Sequence, residues 1–151
     1  MKTRPRIRFP LLVALAAALA LPAALFASDA KGNHTKGPKP FVLTGGEEMK
    51  LSDYLVTGKT TVFDFFSEYC PPCRAIAPHM EKLHETRDDI AVVKVDINRP
   101  DVRGIDWKSP VAQQYGLESI PYFKIFGPDG KLKAEGDPAY DIVNGWLGLN
   151  N

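Results

Sequence analysis

Thr60–Phe66 (TTVFDFF) is β-branched or aromatic at every position except Asp64. A strand with one wet face alternates apolar and polar residues, whereas a continuous run like this one needs cover on both faces. The chain must therefore build a sheet with a layer on each side. Three residues later, Cys70-Pro-Pro-Cys73 opens a helix expected to run to about Thr86, with Ile76, Met80 and Leu83 on one stripe. Ile90–Val95 is a second buried strand. Ser109-Pro110 supplies an N-cap and an N1 proline for a short helix over Pro110–Tyr115. Tyr122–Phe126 and Lys131–Ala134 are strands joined by Gly127-Pro128-Asp129-Gly130, a turn sequence. Asp137-Pro138 caps a last helix with Ile142, Val143, Trp146 and Leu147 facing inward. Upstream, Phe41–Thr44 and Met49–Leu51 around Gly45-Gly46 suggest a hairpin. This order of elements predicts an α/β fold, a central mixed β-sheet flanked by helices.

The first thirty residues belong to a different kind of segment. Lys2, Arg4, Arg6 and Arg8 precede an unbroken apolar run of 11 residues, Leu11–Leu21, then Pro22 and the small-residue stretch Ala23–Ala30. That is the order of a secretory signal peptide, with cleavage expected after Ala27 or Ala30. The alternative is an uncleaved membrane anchor, because Phe9–Ala27 spans 19 residues and about 20 can cross a bilayer. Residues 31–40 form a flexible lead-in, and 41–151 the folded domain. The four basic residues before residue 9 hide the balance of the rest. Of 19 Lys and Arg, 15 remain from Ser28 onward against 18 Asp and Glu, or −3. A body of that charge without a basic cluster argues against nucleic-acid binding. Outside the cytoplasm disulfides persist, so the two cysteines form a redox-capable pair.

Cys70 and Cys73 admit three uses. A zinc site needs two further ligands, and His34, His79 and His84 are poorly spaced to supply them. A structural disulfide would close a four-residue loop and constrain almost nothing in the unfolded chain. Thiol–disulfide exchange fits the position best. At a helix N-terminus the dipole favours the Cys70 thiolate, and Cys73, one turn on, can attack a mixed disulfide. Pro71 and Pro72 occupy positions whose N–H groups would lack intrahelical partners. They also remove a donor at residue 72 that could have held the thiolate, which tilts the couple mildly toward reductant.

Asp64 is costly to bury without a purpose. It shares a face with Val62 and Phe66 on a strand running toward Cys70. Burial there raises its pKa and lets it exchange a proton with Cys73; a partner on the next strand, Lys94, is the plain alternative. Ile120-Pro121 enters an apolar strand, so Pro121 sits either at the first strand position or in a cis turn.

Taken together, Val62-Phe-Asp-Phe-Phe-Ser-Glu-Tyr69 leading into CPPC, Arg74, Ala77-Pro78, Val92–Asp96, Tyr115-Gly-Leu-Glu-Ser-Ile-Pro121 and Gly127–Leu132 resemble the thioredoxin family in order and spacing. The resemblance runs from about Phe41 to Leu149. It implies the thioredoxin fold, Cys70 as nucleophile, Cys73 as resolving cysteine, Asp64 as the buried acid and Pro121 as the cis-proline. Phe41–Lys59 is similar to extracytoplasmic thioredoxin-like reductases associated with cytochrome maturation, although the large insert of many of them is absent. Three features depart from the thioredoxin pattern. Tyr69 replaces tryptophan, the dipeptide is Pro-Pro, and the Ile97–Ser109 loop is longer and carries Trp107.

That loop follows a strand expected to run parallel to the Cys70 strand, so it should lie on the active-site edge. There Trp107 either helps form a substrate rim with Tyr69, Ile120 and Pro121, or packs to close the loop. The expected function is an extracytoplasmic, protein-disulfide-reducing thiol–disulfide oxidoreductase without cofactor, monomeric, and recharged by a membrane electron donor. The alternatives are an oxidase or isomerase of the same fold, or a non-redox binding or metal-delivery module.

Overall fold

The computed structural model describes residues 34–149; the expected signal peptide or anchor lies outside them. The chain runs β1 (Phe41–Leu43), a 3-10 turn (Leu51–Tyr54), β2 (Thr60–Phe66), α1 (Pro71–Thr86), β3 (Ile90–Asp96), α2 (Pro110–Gln114), β4 (Tyr122–Phe126), β5 (Leu132–Glu135) and α3 (Asp137–Leu147). One five-stranded sheet has the order β1-β3-β2-β4-β5. β1 and β2 both pair in parallel with β3, while β4 is antiparallel to β2 and β5 antiparallel to β4. This is the mixed sheet expected.

The doubly apolar β2 lies at its centre, paired on both edges. Phe63 and Phe65 point into one core with Val93, Val95, Leu51, Val111 and Leu117. Val62 points into the other with Val92, Phe123 and Ile125, beneath α1 and α3. The α1 stripe is as expected: Ile76, Met80 and Leu83 are buried, and the helix continues through Pro78. Ser109 caps α2 by accepting the Ala112 N–H at 3.3 Å.

Three expectations need correction. The upstream hairpin does not form, because β1 pairs with β3 and Leu51–Tyr54 winds into a 3-10 turn. The cause is Gly46, at φ +67° and so close to the backbone after β3 that a Cβ would meet Arg99 N and Ile97 O at 2.9 Å. Held there, with its carbonyl accepting from Val111 N–H at 3.0 Å, it turns the chain across the strand end instead of back along β1. In α3 the buried stripe is Ala139 and Val143, with Trp146 and Leu147 packed beside it. Ile142 lies at the margin of that stripe and is 40% exposed. The helix is entered through Gly136 as its N-cap, with Asp137 the first helical residue.

The third correction concerns the lead-in, whose residues 34–40 dock on the body. His34 exchanges backbone hydrogen bonds with Leu55 and Thr57, and its ring stacks on Tyr54 and Phe41. Lys36 donates to the Arg87 carbonyl at 2.7 Å. His84 provides the deepest tie. Val92 N–H donates to its Nδ1 at 3.0 Å, so the neutral ring carries its proton on Nε2 and donates to the Gly37 carbonyl, also at 3.0 Å. Polar contacts made by scattered residues hold a segment whose composition alone suggests mobility.

His84→Ala leaves the buried Val92 N–H and the Gly37 carbonyl without that partner. Loss of about 2–3 kcal/mol is expected in denaturant unfolding, with faster amide exchange across residues 34–40. Unchanged exchange there would show that the ring does not hold the strap.

Candidate functional site

The dithiol site grows out of the end of β2. Beyond Phe66 the chain makes a tight turn: Ser67, fully buried, accepts the Tyr69 N–H at its hydroxyl (3.2 Å) and the Cys70 N–H at its carbonyl (3.1 Å). Cys70 is then the N-cap of α1. Pro71 and Pro72 carry no N–H, so the first helical amide able to reach the cap sulfur is that of Cys73. It donates to Cys70 Sγ at 3.2 Å. An N-cap normally offers an oxygen to this amide; here the acceptor is the reactive atom itself.

Cys70 and Cys73 are joined as a disulfide, with their Cα atoms 5.3 Å apart. Both residues are buried. The Ile120–Pro121 peptide bond is cis, and the Ile120 carbonyl oxygen lies 3.6 Å from Cys70 Sγ. In the disulfide that sulfur has no proton, so this is a contact; only the reduced thiol can donate across it. Tyr69, directly before Cys70, is 39% exposed.

Asp64 sits on the α1-facing side of β2, with Val62 and Phe66, and is buried. Its Oδ1 has no hydrogen-bond partner. Lys94 is opposite in register, yet its ammonium lies over the Phe66 ring, 4.6 Å from the centroid, and makes no ion pair with Asp64 among the described residues. Burial therefore dominates and pushes the Asp64 carboxyl up to about 7, against a smaller downward pull from Lys94. A carboxyl near neutrality on the face that carries Cys73 is suited to take and return a proton.

Cys70, Cys73, Ile120 and Pro121 thus converge, with Tyr69 at the edge and Asp64 beneath. Trp107 and Ile120 both pack, partly buried, against the same apolar core. That core lies on the face of the sheet opposite α1. Sequence reasoning missed Ser67, whose hydroxyl shapes the turn into Cys70, and the pairing of Arg99 with Asp106 in the following loop. A serine between an apolar strand and CPPC was the available signal for the first; nothing local signals the second.

A disulfide between cysteines three residues apart, capping a helix at the end of the central strand beside a cis-proline, defines the thioredoxin class of redox folds. A thioredoxin family model matches residues 47–142, and the chain belongs to the thioredoxin family. The Thioredoxin-like protein of Fusarium culmorum is 37% identical over 95 residues, covering 61% of this chain and 69% of that one. Thioredoxin F1, chloroplastic, of Arabidopsis thaliana is 35% identical over 83 residues, covering 55% of this chain and 43% of that one. The chain thus spans less than half the length of that relative. Among solved structures, a mutant thioredoxin from Halobacterium salinarum NRC-1 superimposes with a TM-score of 0.52 at 25% identity, covering 80% of this chain and 100% of that one.

The Asp64 carboxyl makes stability depend on pH in a definite direction. Because its pKa is higher folded than unfolded, the folded protein holds the proton longer. Its contribution to stability is then greatest below about pH 4, falls as pH rises toward 7, and levels off above. The loss is on the order of 4 kcal/mol across that window. Urea unfolding of the oxidised protein between about pH 4 and pH 8 should show this slope, and Asp64→Asn should remove it. Parallel profiles for the two proteins would place the titration elsewhere.

Proposed function

We propose that the protein is an extracytoplasmic thiol–disulfide oxidoreductase that reduces protein disulfides. The observation that carries this is the capped pair: a buried Cys70 sulfur held by the Cys73 amide, with the Asp64 carboxyl, one oxygen unpartnered and its pKa raised by burial to about 7, on the α1-facing side of the sheet. In the reduced protein the Cys70 thiolate attacks one sulfur of a substrate disulfide. A mixed disulfide forms, and the other substrate sulfur leaves as a thiolate. Cys73 passes its proton to the Asp64 carboxylate and attacks Cys70 Sγ, which expels the second substrate sulfur. Two electrons have moved to the substrate, and the Cys70–Cys73 disulfide remains.

The reducing direction is supported by the cap. With Pro71 and Pro72 in place, the Cys73 N–H is the amide of the first turn that donates to Cys70 Sγ. A thiolate held by few donors is a better electron source than one held by many. The site of action is supported by the basic, apolar and small-residue order of residues 1–30. In that compartment the oxidised protein needs a donor to recharge it, for which a membrane electron carrier is suited.

The midpoint potential of the Cys70–Cys73 couple, scored by thiol alkylation and mass shift, is expected near about −270 mV. A value of about −120 to −180 mV would instead make the protein an oxidase or isomerase. Cys73→Ser should accumulate a mixed disulfide through Cys70, whereas Cys70→Ser should lose nearly all exchange. Retained function in Cys70→Ser would favour a non-redox binding module.

A further inference from the structure

The turn into Cys70 is held by two residues that stand on either side of it in sequence. The Glu68–Tyr69 peptide is pinned at both ends: its N–H donates to the Ser67 hydroxyl at 3.2 Å, and its carbonyl accepts Arg74 Nη1 at 2.8 Å. The next peptide is tied through the Cys70 N–H, which donates to the Ser67 carbonyl at 3.1 Å. The one after is tied through the Cys70 carbonyl, which accepts the Arg74 N–H, also at 3.1 Å. Three successive peptide groups around the reactive residue are thus held by Ser67 and Arg74.

Neither residue stands where local preference would put it. Ser67 is fully buried, directly after an apolar strand. Arg74 is exposed at the fourth position of α1, near the positive end of the helix dipole, which disfavours a cation. Its guanidinium makes no ion pair among the described residues, and its side chain reaches back to the turn instead.

The two redox states depend on this frame to different degrees. In the disulfide, the bond to Cys73 itself keeps the Cys70 sulfur at the start of α1, with the Cys73 N–H 3.2 Å away. Reduction breaks that bond. The thiolate then stays on the Cys73 amide only if the Cys70 backbone keeps its place, and Pro71 and Pro72 have no N–H to substitute.

We propose that Ser67 and Arg74 are positioning residues for the nucleophile: together they fix the Glu68–Tyr69 peptide so that the reduced Cys70 sulfur remains on the Cys73 amide as a thiolate. This deepens the oxidoreductase function above and rests on it. A reactive atom keeps its geometry when the residues that carry it are locked by hydrogen bonds of their own. Because both side chains act on one peptide group, losing both has a larger effect than the two separate losses combined. The titratable groups around Cys70 are Cys73 on α1, Asp64 on β2, and Glu68 and Tyr69 in the turn, while Ile120 brings its carbonyl.

The test uses the Cys73→Ser protein, in which Cys70 is the remaining thiol and the backbone amide of residue 73 is kept. Alkylation by iodoacetamide is followed from about pH 5 to about pH 9.5, a range that brackets the ordinary thiol pKa. In this background Ser67→Ala and Arg74→Met should each slow alkylation about two-fold near pH 6.5, and the double substitution about ten-fold, with the midpoint pH rising in step. At the alkaline end, where the thiolate is formed in every variant, the rates should converge. A double effect equal to the product of the single ones, or an unchanged midpoint, would overturn the positioning role. If Ser67→Ala does not fold, Arg74→Met decides by itself: a midpoint shift that persists at about 1 M salt supports the role, and one that salt abolishes is charge alone and overturns it. Exchange of the two-cysteine protein with a peptide disulfide is measured separately, and its absence would sink the oxidoreductase function and the positioning role with it.

Discussion

Everything at the site depends on β2 being locked on four sides. It is hydrogen-bonded to β3 and β4 along its edges and covered by an apolar layer on each face. A strand so enclosed cannot shift register without moving a whole set of side chains to the wrong face. Its end point is therefore fixed, and with it the place where Ser67 turns the chain and Cys70 begins α1. The same enclosure puts Asp64 out of reach of water. Its raised pKa is a direct consequence of where the strand lies, not a separate device.

The site combines one group that favours charge with one that resists it. Cys70 sits where a helix offers a free amide and the positive end of its dipole, both of which stabilise a negative sulfur. Asp64 sits where ionisation is opposed, with one oxygen unpartnered and the cation opposite turned onto Phe66. Environments that push the two groups in opposite directions let one act as nucleophile while the other handles protons near neutrality. Pro71 and Pro72 moderate the first effect by withholding a donor, so the chemistry of the couple is set partly by what the backbone lacks.

The connection after β3 carries a different kind of order. Its stability comes from Asn98, Arg99 and Asp106, not from apolar packing alone, and those contacts span only a few residues of chain. Together with the docked strap at residues 34–40, tied by His84 and Lys36, it shows side-chain hydrogen bonds fixing segments that secondary structure does not reach. One such segment lies at the active-site end of the sheet; the strap ties back to Arg87, at the far end of α1.

By itself, the sequence determined the elements with a strong period or a clear punctuation mark. The continuous run at β2, the i, i+4, i+7 stripe of α1, the Ser109-Pro110 start of α2 and the Gly127–Gly130 turn are local signals, and local geometry suffices to express them. It also determined the cysteine pair and its place at a helix start. The tertiary structure decided what depends on contacts between distant residues. Gly45-Gly46 became a crossing because Gly46 meets backbone near Arg99, Ile142 faced solvent because Ala139 and Val143 took the buried side of α3, and the lead-in docked because His84 reached Gly37. Lys94 left Asp64 unpaired for the same reason. Periodicity fixes which face a side chain is on, but only packing in three dimensions decides which partner on that face it reaches.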